Sequence, residues 1–274
     1  MLVNSRDLLL NAKRENKVIF QFNINNLEWT KHILEKCNKL KKPVILGVSE
    51  GAIKHIGGYN VVYSMCSSLI EDLDINIDVC LHLDHGKSYE SCKKAIDAGF
   101  TSVMIDMSTE SLENNITVTK QVVEYAKEKN VTVEAELGLI GNQEIIDNQL
   151  LLKDCLEFVN ITNIDSLAPS VGTVHGIYKG ALNINYKLIK DLADNLDIPL
   201  VLHGGSGLSN DILKKCVING ITKININSDL QYVWSQGVRK YLIENEDVID
   251  PRKIIESGMD LLENEIALKM NINN

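Results

Sequence analysis

Two stretches decide the fold: DAGFTSVMID, residues 97–106, and INGITKININ, residues 218–227. Each reads as the last turn of a helix, a glycine stop at Gly99 or Gly220, a short turn and a β-branched strand. Finding the same unit twice predicts a chain of alternating helices and strands. Working outward, eight apolar runs stand out at 18–22, 43–48, 77–83, 101–107, 131–137, 166–171, 199–203 and 222–226. Most are near-continuous rather than alternating, which suits parallel strands covered on both faces. Amphipathic stretches lie between them at 27–40, 88–98, 111–129, 186–196, 209–219 and 229–244. The first places Leu27, Ile33, Leu34 and Cys37 on one stripe, and Ser111 and Ser209 stand where N-caps belong. Eight strands alternating with helices in about 250 residues predict an α/β fold of the (β/α)8 TIM barrel type. It is expected as a single domain over residues 1–274, with a helical extension at the C-terminus. An open doubly wound sheet competes, but no G-x-G-x-x-G follows the first strand. Residues 142–152 form the one long polar connection, and they follow a strand end, where active-site loops sit.

The bulk chemistry narrows the function. The chain has 274 residues, 45% of them hydrophobic and 24% charged, with a formal net charge of −9. No basic cluster is long enough for a nucleic-acid face; Lys39, Lys41 and Lys42 read as a solvated helix end. The six cysteines are scattered without a C-x-x-C pair, as small buried hydrophobes in a reducing compartment would be. Leu8-Leu9-Leu10 is too short for a signal segment, and no apolar run approaches the roughly 20 residues that span a bilayer. A cytoplasmic protein without nucleic-acid or membrane partners is expected.

Polar residues gather at the C-terminal ends of the strands, the face where barrel active sites are built. Leu83-Asp84-His85-Gly86 closes the third strand, the fourth carries Asp106, and Val133-Glu134-Ala135-Glu136 runs along the fifth. Gly172-Thr173-Val174-His175-Gly176 follows the sixth, the seventh ends in His203-Gly204-Gly205-Ser206-Gly207, and the eighth runs out through Asn225-Ile226-Asn227-Ser228. His85, His175 and His203 are three imidazoles on one face, enough for a catalytic metal with an open position. Their spacing matches no compact zinc motif, so this reading depends on the barrel. Asp84 is suited to general acid–base work beside such a metal, or to orienting a histidine. Asp106 and Glu136 read either as a second cation position or as strand-end carboxylates paired with lysine. His32 and His55 read as surface residues. His82, sharing a strand face with Asp84, reads as a hydrogen-bonding support or a satisfied core histidine. The glycine-rich turns after strands seven and eight, each opening a helix, read as phosphate cradles.

The segments FQFNINNLEWTKHILE, PVILGVSEGA, LHLDHG, VEAELG, LAPSVGTVHGIYKG, VLHGGSGLS and KININSDL together resemble the class II fructose-bisphosphate aldolases. The resemblance runs from about residue 2 to 252, and the tagatose-bisphosphate aldolases share most of it. It implies a zinc-dependent carbon–carbon lyase of glycolysis and gluconeogenesis, working as a homodimer or homotetramer on a phosphorylated sugar. It assigns the zinc to His85, His175 and His203, the proton donor to Asp84, and a second divalent position to Asp106 and Glu136. It assigns the dihydroxyacetone phosphate half to Gly176, Gly204, Gly205, Ser206, Asn225, Asn227 and Ser228. Asn23 and Ser49 fall near the reacting carbons and the second phosphate, and Arg252 at a position that reaches a neighbouring subunit's substrate. A monovalent cation, Na+ or K+, is implied near the phosphate. The stretch 139–144 departs from the family pattern. QFNINN and LAPSVGTVHG favour fructose 1,6-bisphosphate over tagatose 1,6-bisphosphate as substrate. A barrel metallohydrolase and a phosphosugar-binding protein without turnover are the competing functions; the first would carry H-x-H on its first strand, which this chain lacks.

Overall fold

A computed structural model describes residues 1–138, 148–174, 176 and 183–273. Its strands are β1 (Ile19–Asn23), β2 (Val44–Ser49), β3 (Val79–Gly86), β4 (Ser102–Ile105), β5 (Thr132–Leu137), β6 (Ser166–Pro169), β7 (Leu200–Leu202) and β8 (Ile221–Ile226). All neighbours pair in parallel and β8 returns to β1, closing an eight-stranded barrel in sequence order. The helices of the first half are α1 (Ser5–Glu15), α2 (Leu27–Leu40), α3 (Glu50–Ile56), α4 (Tyr59–Asp72), α5 (Tyr89–Ala98) and α6 (Leu112–Glu128). The second half adds α7 (Asn148–Thr162), α8 (Tyr186–Asn195), α9 (Asn210–Ile218), α10 (Ser228–Glu244), α11 (Pro251–Glu256) and α12 (Met259–Met270). None of these is long and apolar enough to cross a membrane.

The local signals act as the sequence predicts. The Ser111 and Ser209 side chains accept from the backbone N–H of Asn114 and Ile212, capping α6 and α9. Gly99 ends α5 at φ 104°, a backbone angle that favours glycine. Several helices lack a sequence forecast. Residues 50–72 fold as α3 and α4, split at Gly57-Gly58, and α7 begins at Asn148, inside the stretch expected as a polar connection. The rest of that stretch before Asn148 lies outside the described residues. The C-terminal extension is present as α11 and α12.

His32 corrects its surface assignment: it is buried, with Nδ1 2.8 Å from Glu263 Oε1 and Nε2 3.2 Å from Glu256 Oε2. Helix α12 packs on α2 and covers it, a tertiary contact that one helix's pattern does not announce. His55 is exposed as expected.

Most of the apolar core lies between the strands and the surrounding helices. A second, smaller cluster joins Ile19, Ile45 and Cys80 of the first three strands to Leu9 and Ala12 of α1. This helix plugs the N-terminal end of the barrel. Above the plug, the period-two alternation of the strands turns polar side chains inward: Gln21, His82, Ser102, Glu134, Ser166 and Lys223 are all buried. Gly47 leaves room for one of them, since a Cβ there would sit 2.3 Å from Gln21 Nε2. The barrel is thus apolar at its base and polar toward its C-terminal mouth.

Candidate active site

The C-terminal mouth holds a cavity of about 460 Å³. It is lined by Asn23, Ser49, Asp84, His85, Asp106, Glu136, Gly176, His203, Gly204, Ser206, Asn225, Asn227 and Ser228, all anticipated from the sequence, and by Lys87, Ser108 and Thr109, which were not. Gly205 lies behind the lining: a Cβ there would meet Ile224 Cγ2 at 2.6 Å, so it lets the loop pack onto β8. Arg252 is not part of the lining. It stands exposed on α11 and is hydrogen-bonded to Asp250. His175 lies outside the described residues.

Asp84 and His85 are consecutive, and regular pleating would send them to opposite faces of the sheet. A register shift between β3 and β4 at Leu83/Gly86 breaks the alternation, and His85 takes φ 54°. Such a backbone angle is uncommon outside glycine and is found where a site requires it. Both side chains therefore reach the cavity.

Of the three candidate ligand histidines, the two that are described, His85 and His203, face each other. His85 Nε2 lies 2.9 Å from His203 Nδ1, and the rings meet edge to face. The outer nitrogen of each ring is held by a carboxylate: His85 Nδ1 by Asp106 Oδ2 at 2.7 Å, His203 Nε2 by Glu134 Oε1 at 2.9 Å. An imidazole held by a carboxylate on one side, with its other nitrogen presented inward, is the arrangement of a metal-ligating histidine. The donor atoms of Asp84, His85 and His203 lie within 4.8 Å of one another, as do those of His85, Asp106 and Glu136. The donor set thus fits a divalent metal of borderline softness.

Asp106 is heavily engaged. It also accepts from Lys87 Nζ at 2.5 Å and Ser108 Oγ at 2.7 Å. These contacts include the anticipated lysine pairing, and the same carboxylate also belongs to the His85, Asp106 and Glu136 group that could hold a metal. Burial would raise its pKa, but the hydrogen bonds from His85, Lys87 and Ser108 hold it well below the usual carboxylate range. Glu136 shifts the other way, pushed up by burial and by Asp106 against the pull of His203, and its Oε2 is buried without a hydrogen bond.

Asp84 accepts from Asn23 Nδ2 at 2.8 Å and from Asn225 Nδ2 at 3.4 Å. Burial again works to raise its pKa. The imidazoles of His85 and His203, the Asn23 hydrogen bond and Lys223 outweigh it and keep the carboxyl ionised.

Sequence reasoning missed Glu134 and Lys223. Lys223 Nζ donates to Glu134 Oε2 at 2.7 Å, so a buried chain Lys223–Glu134–His203 runs from the barrel centre to the site. The signal was the strand period: Glu134 shares a face with Glu136, and Lys223 with Asn225. His82 sits in the same layer, its Nδ1 2.8 Å from Ser102 Oγ and its Nε2 without a hydrogen bond. Burial and Lys223 push its pKa down to about 3.

The two loops expected to cradle phosphate are tied together. Ser206 Oγ accepts from the backbone N–H of Asn227 and Asp229, and Gly207 N–H donates to Asp229 Oδ1 at 2.8 Å. The Asn227 side chain does not cap α10, a helix of 17 residues whose N-terminus meets the cavity at Ser228.

Comparison with known proteins identifies the family. The family described as Fructose-bisphosphate aldolase class-II matches residues 3–274. A fructose-bisphosphate aldolase of Geobacillus stearothermophilus is 46% identical over 98% of this chain and 96% of its own length. One from Staphylococcus aureus is 43% identical over the same shares. Among solved structures, the YdjI aldolase of Escherichia coli K12 superposes with a TM-score of 0.87 at 29% identity, covering 100% of this chain and 98% of its own. A fructose-bisphosphate aldolase of Campylobacter jejuni shares the fold at TM-score 0.86 and 24% identity, over 100% of this chain and 95% of its own. The chain belongs to the class II fructose-bisphosphate aldolase family.

Proposed function

We propose that this chain catalyses the reversible aldol cleavage of fructose 1,6-bisphosphate to dihydroxyacetone phosphate and glyceraldehyde 3-phosphate. The observation that carries the reading is the buried, ionised Asp84 beside two histidines whose inner nitrogens converge 2.9 Å apart. His85 and His203, joined by His175, would hold zinc. When bound, zinc supplies a Lewis acid for the C2 carbonyl and for the charge left after the C3–C4 bond breaks.

The protein's own groups do the rest. The Asp84 carboxylate takes the proton of the C4 hydroxyl in cleavage and returns it in condensation. Asn23 fixes the carboxylate through its 2.8 Å hydrogen bond. Gly176, Gly204, Ser206, Asn225, Asn227 and Ser228 hold the dihydroxyacetone phosphate half, with Gly205 letting the loop sit close. Ser49 faces the other half. Glu136 Oε2, without a hydrogen bond and 3.8 Å from His85 Nδ1, lies beside Asp106 and supports a second divalent position. A monovalent cation would sit near the phosphate. Arg252, exposed and paired with Asp250, would serve the substrate of a neighbouring subunit in a homodimer or homotetramer. Six buried, unbridged cysteines support a cytoplasmic location.

The test is triose phosphate release from fructose 1,6-bisphosphate, with tagatose 1,6-bisphosphate alongside and each repeated after chelation. Fast, chelator-sensitive cleavage of the fructose substrate is expected. A preference for tagatose would keep the mechanism and change the substrate. No cleavage of either, by zinc-loaded protein, would refute the assignment.

A further inference from the structure

We propose that Lys87 binds the phosphate on the aldehyde side of the substrate and sets the preference for bisphosphates over monophosphates. This rests on the aldolase reading above. The cavity already contains the carboxylates Asp84, Asp106 and Glu136, and a bisphosphate adds further negative charge. Among the described lining residues, Lys87 is the one lysine or arginine.

Its place in the fold gives it the distal phosphate. In a barrel of sequential strands, the ends of β3 and β4 lie across the mouth from the ends of β7 and β8. Gly204, Ser206, Asn227 and Ser228 form the cradle on one side. Lys87, Ser108 and Thr109 line the other. An open-chain hexose bisphosphate carries its phosphates at opposite ends of the carbon chain, so the group remote from the cradle points toward Lys87.

The side chain is built to accept this load. It is 60% exposed, and its ammonium is steadied by Asp106 Oδ2 at 2.5 Å. An ammonium has three N–H donors, so one can stay on Asp106 while others meet a phosphate. Its backbone is fixed as well, with Lys87 N–H donating to Glu50 Oε1 at 2.9 Å. A lysine acts on phosphate as a point charge, so it needs no further geometric match.

The experiment compares kcat/KM for fructose 1,6-bisphosphate with that for fructose 1-phosphate, which keeps the cradle's phosphate and lacks the distal one. In Lys87→Met the ratio of the two is expected to fall about 10- to 100-fold, as for loss of a charge-assisted hydrogen bond. The change should lie mainly in KM, and Lys87→Arg should restore most of the ratio. Taking a ratio within one variant cancels any effect transmitted through Asp106 to His85. An unchanged ratio in Lys87→Met overturns the proposal, including the case where both substrates lose activity equally. Failure of the unsubstituted protein to cleave either substrate would instead overturn the aldolase reading, and this proposal with it.

Discussion

Replacing Lys223 with methionine removes one end of the buried chain that supports His203. The side chains of Lys223 and Glu134 are 1% and 2% exposed, so water cannot take the place of the lost ammonium. Of Glu134's other contacts, His203 Nε2 is at 2.9 Å on the opposite carboxylate oxygen, and Ser166 Oγ, at 3.5 Å, stands at the limit of a hydrogen bond, so neither replaces the ammonium that holds Glu134 Oε2. Breaking a buried ion pair from one side typically costs about 3–5 kcal/mol, because a charge is left uncompensated. That is a large part of the roughly 5–15 kcal/mol that holds a domain folded. Adding Glu134→Gln to Lys223→Met removes the stranded charge and should recover about 1–3 kcal/mol. The same pair of variants probes the site. With Glu134 no longer anchored, His203 loses its fixed orientation, and zinc affinity should fall about 10- to 100-fold. Urea unfolding of the metal-free protein reads the first effect, and a competition titration with a zinc chelator of known affinity reads the second. The reasoning fails if Lys223→Met costs less than about 1 kcal/mol with zinc affinity intact, or if the double variant is no more stable than the single one.

Three further outcomes are expected. His82 is neutral and buried, with a folded pKa pushed down to about 3, against about 6.5 in an unfolded chain. The unfolded state therefore binds the extra proton first; this stabilisation is complete above about pH 6.5 and is lost as pH falls toward 3. Between pH 7 and 5, unfolding free energies should drop about 2 kcal/mol more in the unsubstituted protein than in His82→Gln, and equal drops would contradict the assignment. Asp106→Ala frees the His85 ring, and should weaken zinc binding about 10- to 100-fold; unaltered affinity in a chelator competition would remove Asp106 from that role. Gly86→Ala drives a Cβ to 2.7 Å from the Met104 carbonyl oxygen and 2.8 Å from Leu83 Cδ2. It should cost about 1–3 kcal/mol by urea unfolding, and a neutral result would mean that the bulge beside His85 yields easily.

The barrel was legible because its signals are local. β-branched runs, the serine caps of α6 and α9 and the glycine stop after α5 each act within a few residues, and their alternation leaves few topologies open. The site was legible as far as strand ends announce it: Asp84, His85, His203 and Asn225 all lie at such ends and all line one cavity. What stayed hidden depends on neighbours distant in sequence. Nothing local tells that His85 turns back to face the cavity, because the register shift against β4 does that. The burial of His32 comes from α12, more than two hundred residues away, through Glu263. Sequence alone left Asp106 between a cation site and a lysine pair, and its contact with Lys87, two residues past His85, is visible only in the folded chain. Glu134 and Lys223 were readable from the strand period, yet a lysine within a strand suggests an outward position unless an internal carboxylate is recognised as its partner.

The most direct test of the account is Asp84→Ala, with zinc content and fructose 1,6-bisphosphate cleavage measured on the same preparation. The account predicts zinc retained near the level of the unsubstituted protein and turnover lowered by roughly 10²–10⁴. Undiminished turnover in that variant would contradict the central claim, because the proton of the C4 hydroxyl would then be leaving by another route.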